Sequence, residues 1–88
     1  MAVIVLRHPL RDLAGGNTRV EVSGSNVGEA LRGLEQEHPG LKGWVLDEQG
    51  EIRRHVNVFV DGHRATADAA IKTDSELNII QAISGGAA

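Results

Sequence analysis

Apolar positions along the chain change their spacing several times, and each change marks an element. Ala2 to Leu6 is an unbroken apolar run rich in β-branched residues, which predicts a central strand. From Arg7 the pattern turns polar and reaches Gly15-Gly16-Asn17, a turn signal. Thr18 to Ser23 alternates, with Val20 and Val22 on one face and Arg19 and Glu21 on the other. That period of two predicts a half-buried second strand, and with the first a hairpin. Ser23-Gly24-Ser25-Asn26 breaks the strand, and Asn26 followed by Glu29 reads as a helix N-cap with its capping-box partner. Val27, Ala30, Leu31 and Leu34 then fall at i, i+3, i+4 and i+7, one stripe of a helix of about three turns. Arg32, Glu35, Gln36 and Glu37 fill its polar side, and Pro39-Gly40 stops it, since the residue before a proline is pushed away from helix.

Beyond the helix, Leu41 to Leu46 is a short apolar patch holding Trp44, and Asp47-Glu48-Gln49-Gly50 is a turn cluster. Glu51 to His55 leads into the strand His55 to Val60, followed by Asp61-Gly62, a favoured pair for a two-residue hairpin turn. Thr66 to Asp74 reads as a loop with a short helical turn, and Leu77 to Ile83 as the last strand. The order strand, strand, helix, strand, strand, with apolar first and last strands suited to lie side by side, predicts an α+β fold of the β-grasp type: a mixed sheet of four to five strands around one main helix. The domain is expected to span 1–84, with 85–88 a flexible C-terminal tail that has nothing to bury.

Composition narrows the possible functions. With 41% hydrophobic residues the chain can fill one core, although only Trp44 and Phe59 are aromatic. The net charge is −3 and the basic residues are scattered, Arg53 and Arg54 being the only adjacent pair, which argues against direct nucleic-acid binding. The absence of cysteine excludes disulfides, thiolate metal sites and cysteine nucleophiles. The short apolar start predicts no signal peptide, no stretch approaches a membrane span, and the cytoplasm is the expected location.

The hairpin-helix-strand order, the strand Val56-Asn57-Val58-Phe59-Val60 with Asp61-Gly62, the ending Ile80-Gln81-Ala82-Ile83, and Gly85-Gly86 after it together resemble the ubiquitin-like sulfur carriers of the ThiS and MoaD types. Leu34 to Leu41, the Asp47 to Arg54 insertion and the His55 to Val60 strand look closest to the cysteine-biosynthesis carrier, the CysO type. The resemblance implies a protein co-substrate rather than an enzyme. The Gly86 carboxylate would be adenylated by a ubiquitin-activating-type enzyme using Mg-ATP, and a sulfur donor would displace AMP to leave a thiocarboxylate. A cysteine-synthase-like enzyme would accept the sulfur, and a JAMM-type metalloprotease would release the product. Ile83, Ser84, Gly85 and Gly86 would thread into the partner's site. The pattern usually ends at the two glycines. Ala87 and Ala88 follow them here, and the resemblance implies their removal by a JAMM-type protease; the residues alone leave open whether the pair is native or added. Alternatives sharing the fold are the small subunit of molybdopterin synthase, a tRNA-thiolation carrier, and a modifier joined to lysines.

Phe59 is out of phase with Val56, Val58 and Val60, so it is expected on the open face of the sheet as an exposed docking anchor flanked by Arg64 and Arg54. His8, His38, His55 and His63 have no paired metal-ligand spacing, and no metal is expected. Gly15-Gly16 lacks a following Lys-Ser or Lys-Thr, so it reads as a turn and not a phosphate loop. The scattered acidic residues read as solvated turns. No cofactor is expected to be bound.

Overall fold

The computed structural model describes residues 1–81, which run β1 (Ala2–Val5), α1 (Leu10–Leu13), β2 (Arg19–Val22), α2 (Val27–Glu37), a 3-10 turn (Pro39–Leu41), β3 (Val56–Val60), β4 (His63–Ala65) and β5 (Glu76–Gln81). The strands form one sheet in the order β2-β1-β5-β3-β4. The apolar first and last strands pair in parallel, Ile4 beside Leu77, and the two hairpins flank them in antiparallel register. This is the β-grasp arrangement that the element order predicts.

Period decides the faces. Ala2, Ile4, Val20, Val22, Val56, Val58, Leu77 and Ile79 are buried on the side covered by α2, whose Val27, Ala30, Leu31 and Leu34 are wholly enclosed. Each fully buried aliphatic side chain of this kind contributes about 1.5–3 kcal/mol. The helix starts as expected: the Glu29 N–H donates to Asn26 Oδ1 at 2.8 Å. The Glu29 carboxylate reaches back one residue further than a standard capping box, accepting from the Ser25 N–H at 2.8 Å and hydroxyl at 2.9 Å.

Two segments depart from the sequence reading. The stretch from Arg7 holds a one-turn helix, α1, that seals one end of the core with Leu10 at 1% and Ala14 at 0% exposure. The turn Pro39–Leu41 packs on it so closely that a Cβ on Gly40 would stand 2.9 Å from the Leu13 carbonyl oxygen, so only glycine fits there. Thr66 to Asp74 contains turns but no helical turn. Its carbonyls are engaged elsewhere: Ala69 and Ala67 accept the Val27 and Gly28 N–H groups, two first-turn donors of α2 that have no partner within the helix.

The Asp47 to Arg54 insertion closes on itself beside α2, where a Cβ on Gly50 would stand 3.7 Å from the Arg32 guanidinium. Leu46 bridges to Ile52, and Asp47 Oδ1 accepts the N–H groups of Gln49 and Glu51 at 2.9 and 3.0 Å. The Asp61-Gly62 turn joins β3 to β4 with φ of +49° and +89°, the left-handed pair that a two-residue hairpin needs. Of the last expected strand, Leu77 to Gln81 lies in β5; Ala82 and Ile83 lie outside the described residues. Among the described residues no helix is long and apolar enough to cross a membrane.

Candidate functional site

The sheet face turned away from α2 is assembled by register. Val5 lies between Arg19 and Asn78, and Phe59 between Asn78 and Arg64, so the row Arg19–Val5–Asn78–Phe59–Arg64 crosses all five strands. The expected pairing of Phe59 with Arg64 is therefore present, on directly opposed positions of β3 and β4 whose Cβ atoms stand about 5 Å apart in such pairs. Phe59 itself is half-buried rather than exposed, because strands on both sides shoulder its ring. The more exposed apolar side chain of this face is Ile80, opposite Asn57. Ile80 carries no outward signal in the sequence, because Ile79 and Ile80 stand side by side between Asn78 and Gln81 and either could be the buried one.

Arg54 belongs to a different neighbourhood. With Arg53 and Arg64 it rims a groove of about 520 Å³ beside the short β4, whose lining also includes Asp68 and Thr66 but not Phe59. The groove exists because β4 stops at Ala65, opposite Val58, which leaves Val56 and Asn57 without a β4 partner. Arg64 thus touches both regions, while Arg54 and Phe59 are not brought together. Among the described residues none of Arg53, Arg54 and Arg64 forms an ion pair.

The residues expected to thread and react, Ile83, Ser84, Gly85 and Gly86, with Ala87 and Ala88, lie outside the described residues. The structure places their root: Gln81, at the end of the central strand β5 and opposite Val56. The other end of β5 is clamped. Asp61 donates its N–H to the Glu76 carbonyl at 2.9 Å and accepts the Glu76 N–H on Oδ1 at 3.0 Å, while Arg19 reaches the Glu76 carboxylate at 3.3 Å.

Three carboxyls are shifted. Hydrogen bonds from the Ser25 N–H and hydroxyl hold Glu29 below its ordinary value, and the Thr66 hydroxyl at 2.6 Å does the same for Asp68. Burial pushes Glu35 up, outweighing a hydrogen bond from the Leu46 N–H and the nearby Lys42 ammonium; its Oε2 is enclosed with no partner. None of the three lies on the row through Phe59. Among the described residues no cluster of three or more His, Asp or Glu side chains is placed to hold a metal ion. What the described geometry offers is a rigid central strand that delivers a chain end, with a half-apolar face beside it.

The comparisons agree with that geometry. The ThiS family matches residues 4–86. Small archaeal modifier protein 1 of Haloferax volcanii is 38% identical over 79 residues, covering 88% of this chain and 91% of that one. The crystal structure of SAMP1 from the same organism superposes with a TM-score of 0.82 at 34% identity, over 97% of this chain and 98% of that one. A chain of the Amycolatopsis orientalis BexX/CysO complex superposes with a TM-score of 0.87 at 26% identity, over 94% and 97% of the two chains. Matched from Ile4 to Gly86, the chain belongs to the ThiS family, among the ubiquitin-like small sulfur carriers and modifiers.

Proposed function

We propose that this chain is a sulfur carrier that works through the carboxylate of Gly86 and leaves catalysis to its partners. One observation carries the reading: the family match runs to Gly86 and leaves out Ala87 and Ala88. On this reading 1–84 is the carrier domain and 85–88 the working tail. Cleavage after Gly86 by a JAMM-type metalloprotease frees the glycine carboxylate. A ubiquitin-activating-type enzyme then joins a carboxylate oxygen to the α-phosphorus of ATP, held with Mg²⁺ in that enzyme, and pyrophosphate leaves. A sulfide equivalent attacks the carbonyl carbon. The C–S bond forms, the C–O bond to AMP breaks, and AMP departs with that electron pair.

A carboxylate is a poor electrophile and its AMP anhydride a good one, so the partner must enclose the anhydride away from water. Gly85 and Gly86 have no Cβ and can pass a narrow entrance that other residues would block. Ile83 and Ser84 form the stem, and Phe59, Ile80 and Arg64 offer the face on which the partner settles. Arg54 serves there only through the adjoining groove.

Likeness to a chain of the BexX/CysO complex supports a carrier that hands over to a partner protein; on this reading the partner is a sulfur-accepting synthase, with cysteine or another sulfur-containing metabolite as product. Likeness to a small archaeal modifier protein favours a second use of the same adenylate, capture by a lysine amine to give an amide. The test is ATP–pyrophosphate exchange catalysed by the host's ubiquitin-activating-type enzyme, with chains ending at Gly86 or at Ala88. The carrier reading expects exchange with the first alone. Equal exchange with both, or none with either, contradicts it.

A further inference from the structure

Three large hydrophobic side chains are exposed among the described residues: Met1 at 63%, Trp44 at 42% and Ile80 at 40%. Two of them stand beside the tail root, on opposite sides of the sheet. Ile80 faces away from α2, whereas Gln81, the next residue, shares the side of Leu77 and Ile79. On that side a hollow of about 330 Å³ is lined by Gly43, Trp44, Arg53, His55, Val56 and Gln81.

The fold holds Trp44 outward. Its backbone N–H donates to the Leu41 carbonyl at 3.0 Å, and its neighbours in the core, Leu41 and Val45, are fully buried, so the backbone is fixed while the side chain is left partly exposed. The Arg53 N–H donates to the Val45 carbonyl at 2.9 Å, which ties the insertion beside the indole. No carboxylate lines the hollow, and Arg53 has no ion pair among the described residues. A chain of net charge −3 thus presents an apolar and basic patch next to its working end.

Distance makes that position consequential. Gly86 lies five residues beyond Gln81, and a fully extended chain spans at most about 3.3–3.6 Å per residue. The reacting carbonyl is therefore never more than roughly 18 Å from Gln81. An enzyme that encloses it must bring its entrance close to the residues around Gln81, on both sides of the strand. We propose that Trp44 and Arg53 form a second docking patch, gripped by the ATP-using enzyme that takes the tail. The matching surface on that enzyme is an apolar slot for the indole with a carboxylate rim facing Arg53. This inference rests on the carrier reading above and adds a contact on the helix side, distinct from the open sheet face.

Trp44 is the sole tryptophan, so a carrier grown with 5-fluorotryptophan holds one fluorine, and that fluorine reads this patch alone. The chain ending at Gly86 is titrated with the host's ubiquitin-activating-type enzyme and a non-hydrolysable ATP analogue, and exchange kinetics are run beside it with ATP. The expected results are a shifted fluorine resonance in the complex and, for Trp44→Ala, a KM raised about tenfold at unchanged kcat. Trp44→Phe should recover most of that loss, and an unchanged urea midpoint for Trp44→Ala shows that the fold is intact. Arg53→Glu should raise KM in a salt-dependent way. A fluorine signal that stays put while exchange proceeds, or a Trp44→Ala KM equal to the parent's, overturns the patch and leaves the carrier reading standing. Absence of exchange with the parent overturns both.

Discussion

At the scale of single residues, the tail and four polar side chains make separable predictions. Gly86→Val places a branched side chain where a narrow entrance must be passed, and displacement of the reacting carbon by about 1 Å can cost a hundredfold. Thiocarboxylate formation should fall by about that factor, with the urea midpoint unchanged. Asn26→Ala removes the acceptor of the Glu29 N–H and should lower stability by about 1 kcal/mol, seen as a lower urea midpoint at constant slope. Glu35 predicts a pH dependence. Its folded pKa is raised above the ordinary 4.5 by burial, so the folded chain holds the proton more tightly than the unfolded one. The contribution is full below 4.5 and is lost as pH rises through the raised value. Glu29 and Asp68 have lowered values and act in the opposite sense: their contributions are lost as pH falls through their folded values, below 4.5 and 3.8 respectively. Glu35→Gln should therefore remove the decline in stability above pH 4.5 and leave the acid limb in place, as followed by thermal unfolding at a series of pH values.

At the scale of elements, what was legible depended on whether a pattern is local. The N-cap at Asn26, the stripe through Leu34 and the Asp61-Gly62 turn are each written in a few adjacent residues, and each is found where its residues place it. The one-turn helix α1 was not legible, because four residues are too few to show a helical period, although Leu10, Leu13 and Ala14 do fall at i, i+3 and i+4. Glu35 reads as part of the polar side of α2; its burial, with the Leu46 N–H beside it, has no local signal. Trp44 and Ile80 each stand next to a buried apolar residue, Val45 and Ile79, and their exposure follows from what the rest of the fold leaves uncovered. The half-burial of Phe59 has the same origin, since strands assembled from distant segments flank it. Two glycines test the element-level account in opposite directions. Gly33 lies inside α2 with open space where a Cβ would be, so Gly33→Ala should stabilise by about 0.5–1 kcal/mol. Gly62 has a φ of +89° in the hairpin turn, so Gly62→Ala should destabilise by about 1–2 kcal/mol despite equally open space. Chemical denaturation of both variants checks the pair.

At the scale of the whole molecule, the fold is a rigid mount for a chain end. β5 runs through the middle of the sheet, paired with β1 from Glu76 to Asn78 and with β3 from Leu77 to Gln81, and is clamped at its start by Asp61; Gln81 is the last described residue. A central strand suits that task better than an edge strand, because two ladders of hydrogen bonds set its direction over Leu77 and Asn78 and the β3 ladder carries it on to Gln81. Apolar surface is left on either side of the exit, through Ile80 on one face and Trp44 on the other. The central claim is that Gly86 becomes an acyl carrier of sulfur, and intact mass tests it most directly. The chain is incubated with host extract, ATP and sulfide, beside a carrier of known activity as control. The account predicts loss of both alanines and replacement of one oxygen by sulfur, localised to Gly86 by fragmentation. An unchanged mass while the control carrier reacts would contradict it.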